Sequence, residues 1–231
     1  ECLDVLSEKK YTIKAKAIVN ATGVFTNAIV QMDEPLQDDL VSPSQGIHLV
    51  IDAKFFSGID AMMIPKTDDG RVLFAVPWHD KVVLGTTDTP IDTVSFEPIA
   101  LEEEIEFIIK HINRYCTRLI TRADINSVYV GLRPLVKQKT QISSALISRE
   151  HHLSISPTGL ITITGGKWTT YRKMAADAVD NAAFVGKLNK EKCTTAETKI
   201  GDELEKENRI QEILKVDTSL AEKMHAKYPF T

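Results

Sequence analysis

The sequence predicts an α+β fold: an antiparallel sheet with flanking helices, joined to a second group of strands that run into helices. Three observations predict it. Residues 41–87 hold several short apolar strands separated by turn residues. Residues 101–119 place apolar side chains at three-to-four spacing, the period of a helix lying on a sheet. Two distant apolar runs, at 17–20 and 160–163, each pass through small residues into a helix-compatible segment. With 231 residues, 43% of them hydrophobic, the chain can bury the core of one large domain or two smaller ones.

Taken in order, Tyr11-Thr12-Ile13 through Ile18-Val19 alternates like a strand, and the chain opens in this pattern without an initiator Met. It is therefore expected to be a piece of a longer protein. The strand at 17–20 ends in Asn20-Ala21-Thr22-Gly23, and residues 24–30 suit a helix. Strands are expected at 47–51, 61–65, 72–77 and 81–86, with Asp68-Asp69-Gly70 and Trp78-His79-Asp80 as turns. The next helix carries Leu101, Ile105, Ile108, Ile109, Ile112 and Leu119 on one face. Glu102, Glu103 and Glu104 stand early in it and Lys110, Arg114 and Arg118 late, as the helix dipole favours. Further strands are expected at 126–132 and 145–148. After Leu160-Ile161-Thr162-Ile163 and Gly165-Gly166, an alanine-rich helix with Ala175, Ala176, Ala178, Val179, Ala182 and Ala183 should end near Gly186. Residues 187–197 read as a polar linker. The tail, with Ile210, Ile213, Leu214, Leu220 and Met224, reads as the start of a helical region.

Composition narrows the function. A formal charge of -4 gives no field to hold nucleic acid. Cys2, Cys116 and Cys193 are odd in number and widely spaced, as expected of free thiols in a reducing cytoplasm rather than a zinc site or disulfide frame. No apolar stretch reaches the length of a membrane span. His151-His152 invites a metal reading, but neighbours on a strand point to opposite faces and cannot readily share one ion. Surface histidines are the expectation there, and Trp78 and Trp168 are expected to pack into the protein.

The chemistry gathers at strand ends. A strand that passes through Gly165-Gly166 into a helix brings backbone close to a ligand and aims unpaired N–H groups at it, although such a turn also serves plain connectivity. Asn20-Ala21-Thr22-Gly23 repeats the pattern. Gly46-Ile47-His48 and Gly131-Leu132-Arg133-Pro134 add an imidazole and a guanidinium. These runs, together with Pro43-Ser44-Gln45, Val76-Pro77-Trp78, Gly85-Thr86-Thr87-Asp88 and Lys167-Trp168-Thr169-Thr170-Tyr171-Arg172, resemble the flavin-dependent glycerol-3-phosphate dehydrogenases of the D-amino-acid-oxidase-like superfamily. Each motif is weak alone, but their order over residues 15–185 is specific. The sequence has no G-x-G-x-x-G run, so the chain is expected to be the C-terminal part of such an enzyme without its dinucleotide-binding motif, inactive by itself and a poor binder of FAD.

The resemblance implies a division into part of an FAD-binding domain at 1–40, an antiparallel substrate-binding sheet at 41–135, the C-terminal strands and helix of a Rossmann-like FAD domain at 136–186, and a C-terminal helical region from 187. It implies oxidation of sn-glycerol 3-phosphate to dihydroxyacetone phosphate with FAD as cofactor and a quinone or another acceptor as partner. His48 would take the hydroxyl proton, and Arg133, Arg149 and Lys167 would hold the charged substrate. Ala21, Thr22, Gly23, Gly165, Gly166, Lys167, Trp168, Thr169 and Thr170 would line the flavin. A cytoplasmic protein, placed peripherally at the inner face of the membrane and assembled as a homo-oligomer, completes the expectation. From the residues alone, His48 also suits an ordinary strand histidine, Arg133 an ordinary salt bridge and Lys167 a solvated helix start. Asp88, before Thr89-Pro90, reads as a turn-former. Two alternatives stand beside this: another amine or hydroxy-acid oxidase of the superfamily, and a non-catalytic binding module.

Overall fold

A computed structural model describes residues 1–56, 58–137 and 151–198. Residues 1–190 form one compact unit and 191–231 a second. A short hairpin, β1 (Cys2–Leu3) with β2 (Lys10–Tyr11), precedes β3 (Ile18–Asn20). A 3-10 turn, Gly23–Phe25, then leads into α1 (Thr26–Asp33). The main sheet has six strands: β4 (Val41–Asp52), β5 (Met62–Ile64), β6 (Leu73–Trp78), β7 (Lys81–Gly85), β8 (Thr89–Pro90) and, after α2 (Glu102–Asn113), β9 (Ile125–Val136). All its pairings are antiparallel. β9 runs along one edge of β4, while β7 and β8 pair with successive parts of β4 from the other side. The antiparallel pair β10 (His151–Ile155) and β11 (Leu160–Gly165) joins β3, which lies parallel to β11, and the chain continues into α3 (Tyr171–Val185).

Strand alternation decides which face is covered. Ile47, Leu49 and Ile51 of β4, Leu73 and Ala75 of β6, and Val82 and Leu84 of β7 are buried against Ile105, Ile108 and Ile112 of α2. The even-numbered residues of β4, among them Ser44, Gly46 and His48, therefore belong to the opposite face of the sheet.

One carboxylate lies in the covered layer. Glu104 is buried, and it accepts hydrogen bonds from Gln45 Nε2 (2.7 Å), Thr87 Oγ1 (2.7 Å), Thr89 Oγ1 (2.8 Å) and the backbone N–H of Leu101 (3.1 Å). Burial works to raise its pKa, but the donated hydrogen bonds outweigh it and hold the carboxyl below its ordinary 4.5. Its stabilisation is complete above the ordinary value and is lost as pH falls through the folded one. Glu104→Gln is expected to cost about 2 kcal/mol near neutral pH and less near pH 4, read from urea unfolding midpoints at both.

Three expectations are corrected. β4 and β9 are each 12 residues long and run through Pro43 and Pro134, where the sequence reading began the first at Ile47 and ended the second at Leu132. The two prolines stand opposite each other in the register, so both missing donors fall on one rung of the ladder. α2 ends at Asn113, well before Leu119, because the Asn113 side chain pairs with both backbone groups of Ile120 at 2.8 Å and turns the chain back. Ile120 is buried in consequence and Leu119 is 66% exposed. Trp78 and Trp168 do not pack into the core: they are 64% and 86% exposed, Trp168 stacking on Tyr171. The strand expected at 145–148 lies outside the described residues. Among the described residues no helix is long and apolar enough to cross a membrane.

Candidate active site

The uncovered face of the main sheet brings two of the predicted residues together. In the β4–β9 register His48 stands opposite Tyr129, Gly46 opposite Gly131 and Ser44 opposite Arg133. On its other side His48 faces Gly85 of β7. One face thus carries an imidazole, a phenol and a guanidinium around backbone that three glycines leave bare. The bareness is needed. A methyl at Gly46 would overlap the Arg133 guanidinium, and one at Gly85 would overlap the His48 ring, whereas one at Gly131 would meet nothing within 4 Å.

His48 is half-buried and stacks on Tyr129, with ring centroids 4.8 Å apart. Neither of its ring nitrogens has a hydrogen-bond partner among the described residues. Burial, and then the positive charge of Arg133, push its pKa below the ordinary 6.5. The imidazole is therefore neutral and able to accept a proton near neutral pH.

Arg133 is held on the same face. Its Nη2 donates to Thr86 Oγ1 at 3.1 Å and to the Thr87 carbonyl at 3.0 Å, and its Nη1 stands 3.5 Å from Asp88 Oδ1. Asp88 also accepts from the Ser44 hydroxyl, and its backbone carbonyl accepts from Arg71 Nη1 at 2.8 Å. The sequence reading missed this carboxylate as more than a turn-former. Tyr129 and Thr86 were missed too, because only cross-strand register reveals them.

The remaining predicted residues lie at the ends of the parallel pair. β3 runs into residues 21–23, with Gly23 at φ 60°, and β11 runs into Gly165 and Gly166, at φ 76° and 73°. Ala21 and Thr22 are exposed and Gly23 is half-buried. Asn20, buried, builds the first turn: its side chain donates to the Thr26 carbonyl at 3.1 Å and accepts from Thr22 Oγ1 at 2.7 Å. Lys167, Trp168, Thr169 and Thr170 are exposed at the start of a 3-10 turn leading into α3. Just before them, Thr164 Oγ1 is buried without a hydrogen-bond partner among the described residues. The turn at 23–25 lies against β4 and β9, and β11 lies against β9, the strand that bears Arg133. Arg149 lies outside the described residues. His151 pairs with Asp177 at 3.0 Å, and no cluster of metal-ligating side chains occurs among the described residues.

Residues 3–172 match the model of the FAD dependent oxidoreductase family. The chain belongs to this family. The match begins in the chain's first residues, and this overturns the expectation of a C-terminal part that lacks the dinucleotide-binding motif. Among the chain's relatives, the mitochondrial glycerol-3-phosphate dehydrogenase of Bos taurus is 41% identical over 183 residues, 78% of this chain and 25% of that protein. That of Arabidopsis thaliana is 40% identical over 183 residues, 79% of this chain and 29% of that protein. The chain thus spans about a quarter of the length of these curated relatives. A crystal structure of glycerol-3-phosphate dehydrogenase from Bacillus halodurans, complexed with FAD, superimposes with a TM-score of 0.71 at 34% identity, covering 84% of this chain and 37% of that one. The strand ends suit the family's cofactor. Positive-φ glycines and exposed turn backbone at these strand ends are what a flat group needs in order to approach.

Proposed function

We propose that this chain forms the substrate face of a flavoprotein that oxidises sn-glycerol 3-phosphate to dihydroxyacetone phosphate, with electrons passing on to a quinone or another acceptor. The observation that carries this reading is a neutral imidazole and a fixed guanidinium side by side over bare backbone. Its similarity to proteins named glycerol-3-phosphate dehydrogenase supports the choice of substrate. FAD, when bound, would accept the hydride from C2 of the substrate.

The chain's own residues supply the rest. His48 takes the proton of the C2 hydroxyl, for which a pKa held below 6.5 keeps it ready. Arg133 binds the anionic end of the substrate through a guanidinium whose orientation is already set by Thr86 and Thr87. Arg149 and Lys167 add positive charge for the same substrate, and Lys167 stands where the backbone N–H groups of Trp168, Thr169 and Thr170 start a helix. Ala21, Thr22, Gly23, Gly165 and Gly166 would offer backbone to the flavin.

The reading predicts a pH profile. The kcat/KM for sn-glycerol 3-phosphate should rise with pH and level off with an apparent pKa below 6.5. In Arg133→Gln the same limb should move to higher pH, because a cation that disfavours imidazolium has gone. Steady-state assays of the complete flavin-loaded protein with an artificial electron acceptor measure both. Activity on amino acids or hydroxy acids but none on sn-glycerol 3-phosphate would overturn the assignment.

A further inference from the structure

We propose that Asp88 is a positioning residue for Arg133, fixing the guanidinium above the bare backbone of Gly46 and so fixing where the anionic group of the substrate binds. The inference rests on the reading of this face as a glycerol-phosphate site.

The geometry supports a built device. Asp88 is held at both ends, its carboxylate by the Ser44 hydroxyl and its backbone carbonyl by Arg71 Nη1 at 2.8 Å. Arg71 is itself paired with Asp69, so the support continues outward. On the inner side, the side chain of Asp88 is 19% exposed and faces Arg133 Nη1 at 3.5 Å. The neighbouring residues work to the same end. Thr86 and Thr87 accept from Nη2, and the Thr87 hydroxyl is fixed by donating to buried Glu104 while accepting the Ile47 N–H at 3.0 Å. A segment of three residues thus meets the guanidinium, and two of them, Thr87 and Asp88, are each tied separately to β4. A turn-former needs none of these contacts.

The sign of one effect separates positioning from plain electrostatics. Asp88 is negative, so a role limited to its charge would oppose anion binding, and Asp88→Asn would tighten it. A positioning role predicts weaker binding, because a loosened fork pays more entropy to hold the same group. Affinity for inorganic phosphate, measured by calorimetry on the flavin-loaded protein, should fall about tenfold in Asp88→Asn. It should fall in the same direction in Thr86→Val, which changes no charge, and recover in part in Asp88→Glu. With sn-glycerol 3-phosphate, KM should rise by a similar factor and kcat change less. If Asp88→Asn does not fold, Asp88→Ala takes its place. Unchanged or tighter phosphate binding in the folded Asp88→Asn or Asp88→Ala variant would overturn the proposal even if sn-glycerol 3-phosphate is turned over. Weaker phosphate binding in a protein that does not oxidise it would leave the positioning role standing and remove the substrate assignment.

Discussion

His48→Gln is expected to lower kcat/KM for sn-glycerol 3-phosphate by about a thousandfold, the middle of the range for a lost general base, with flavin content and unfolding midpoint little changed. Gln keeps the polarity and approximate bulk of the side chain but cannot take a proton. Among the described residues the ring stacks on Tyr129 and makes no hydrogen bond, so the fold does not depend on it. The pH limb assigned to the imidazole should vanish with the residue. If the variant keeps its rate and its pH profile, the proton goes elsewhere and His48 is an ordinary strand histidine.

Gly46→Ala is the second large effect, and it acts without replacing a functional side chain. The added methyl would overlap the Arg133 guanidinium, so the fork must leave its place. Gly46 lies inside β4 and has no left-handed backbone that alanine would strain. The overlapped group is also the far end of a flexible side chain, so stability should change little. We expect KM for sn-glycerol 3-phosphate to rise by about a hundredfold, the scale of an ångström-sized displacement at a binding group, while the His48 pH limb moves upward as the cation withdraws. Kinetics alongside a thermal melt check both halves. A variant with unchanged KM would show that Arg133 does not hold the substrate from its position over Gly46.

The parts of this account that were legible in the sequence are those with a local signature. Gly165-Gly166 announced a turn between strand and helix because two glycines there have a local meaning, and both adopt positive φ. The α2 pattern located the covered face through Ile105, Ile108 and Ile112. His48 and Arg133 were singled out by resemblance alone, since nothing in their local sequence marks them, and the register brings them onto one face. What stayed hidden depends on register. Tyr129 comes to His48 only because β9 pairs with β4 along the whole of both strands, and the reading had ended β9 at Leu132 before Pro134. Glu104 was read as a dipole-compatible first-turn carboxylate, yet it faces inward to Gln45 of β4, Thr87 between β7 and β8, and Thr89 of β8. Asp88 before Thr-Pro has the local form of a turn residue, and its contact with Arg133 spans 45 positions of sequence.

The face built from β4, β7 and β9 is tested most directly by anaerobic reduction of the bound flavin with sn-glycerol 3-phosphate, followed by absorbance in the complete protein and in His48→Gln at matched flavin content. The account predicts rapid bleaching in the unchanged protein and bleaching about a thousandfold slower in the variant. Equal rates in the two, or bleaching by an amino acid or hydroxy acid but not by sn-glycerol 3-phosphate, would contradict it.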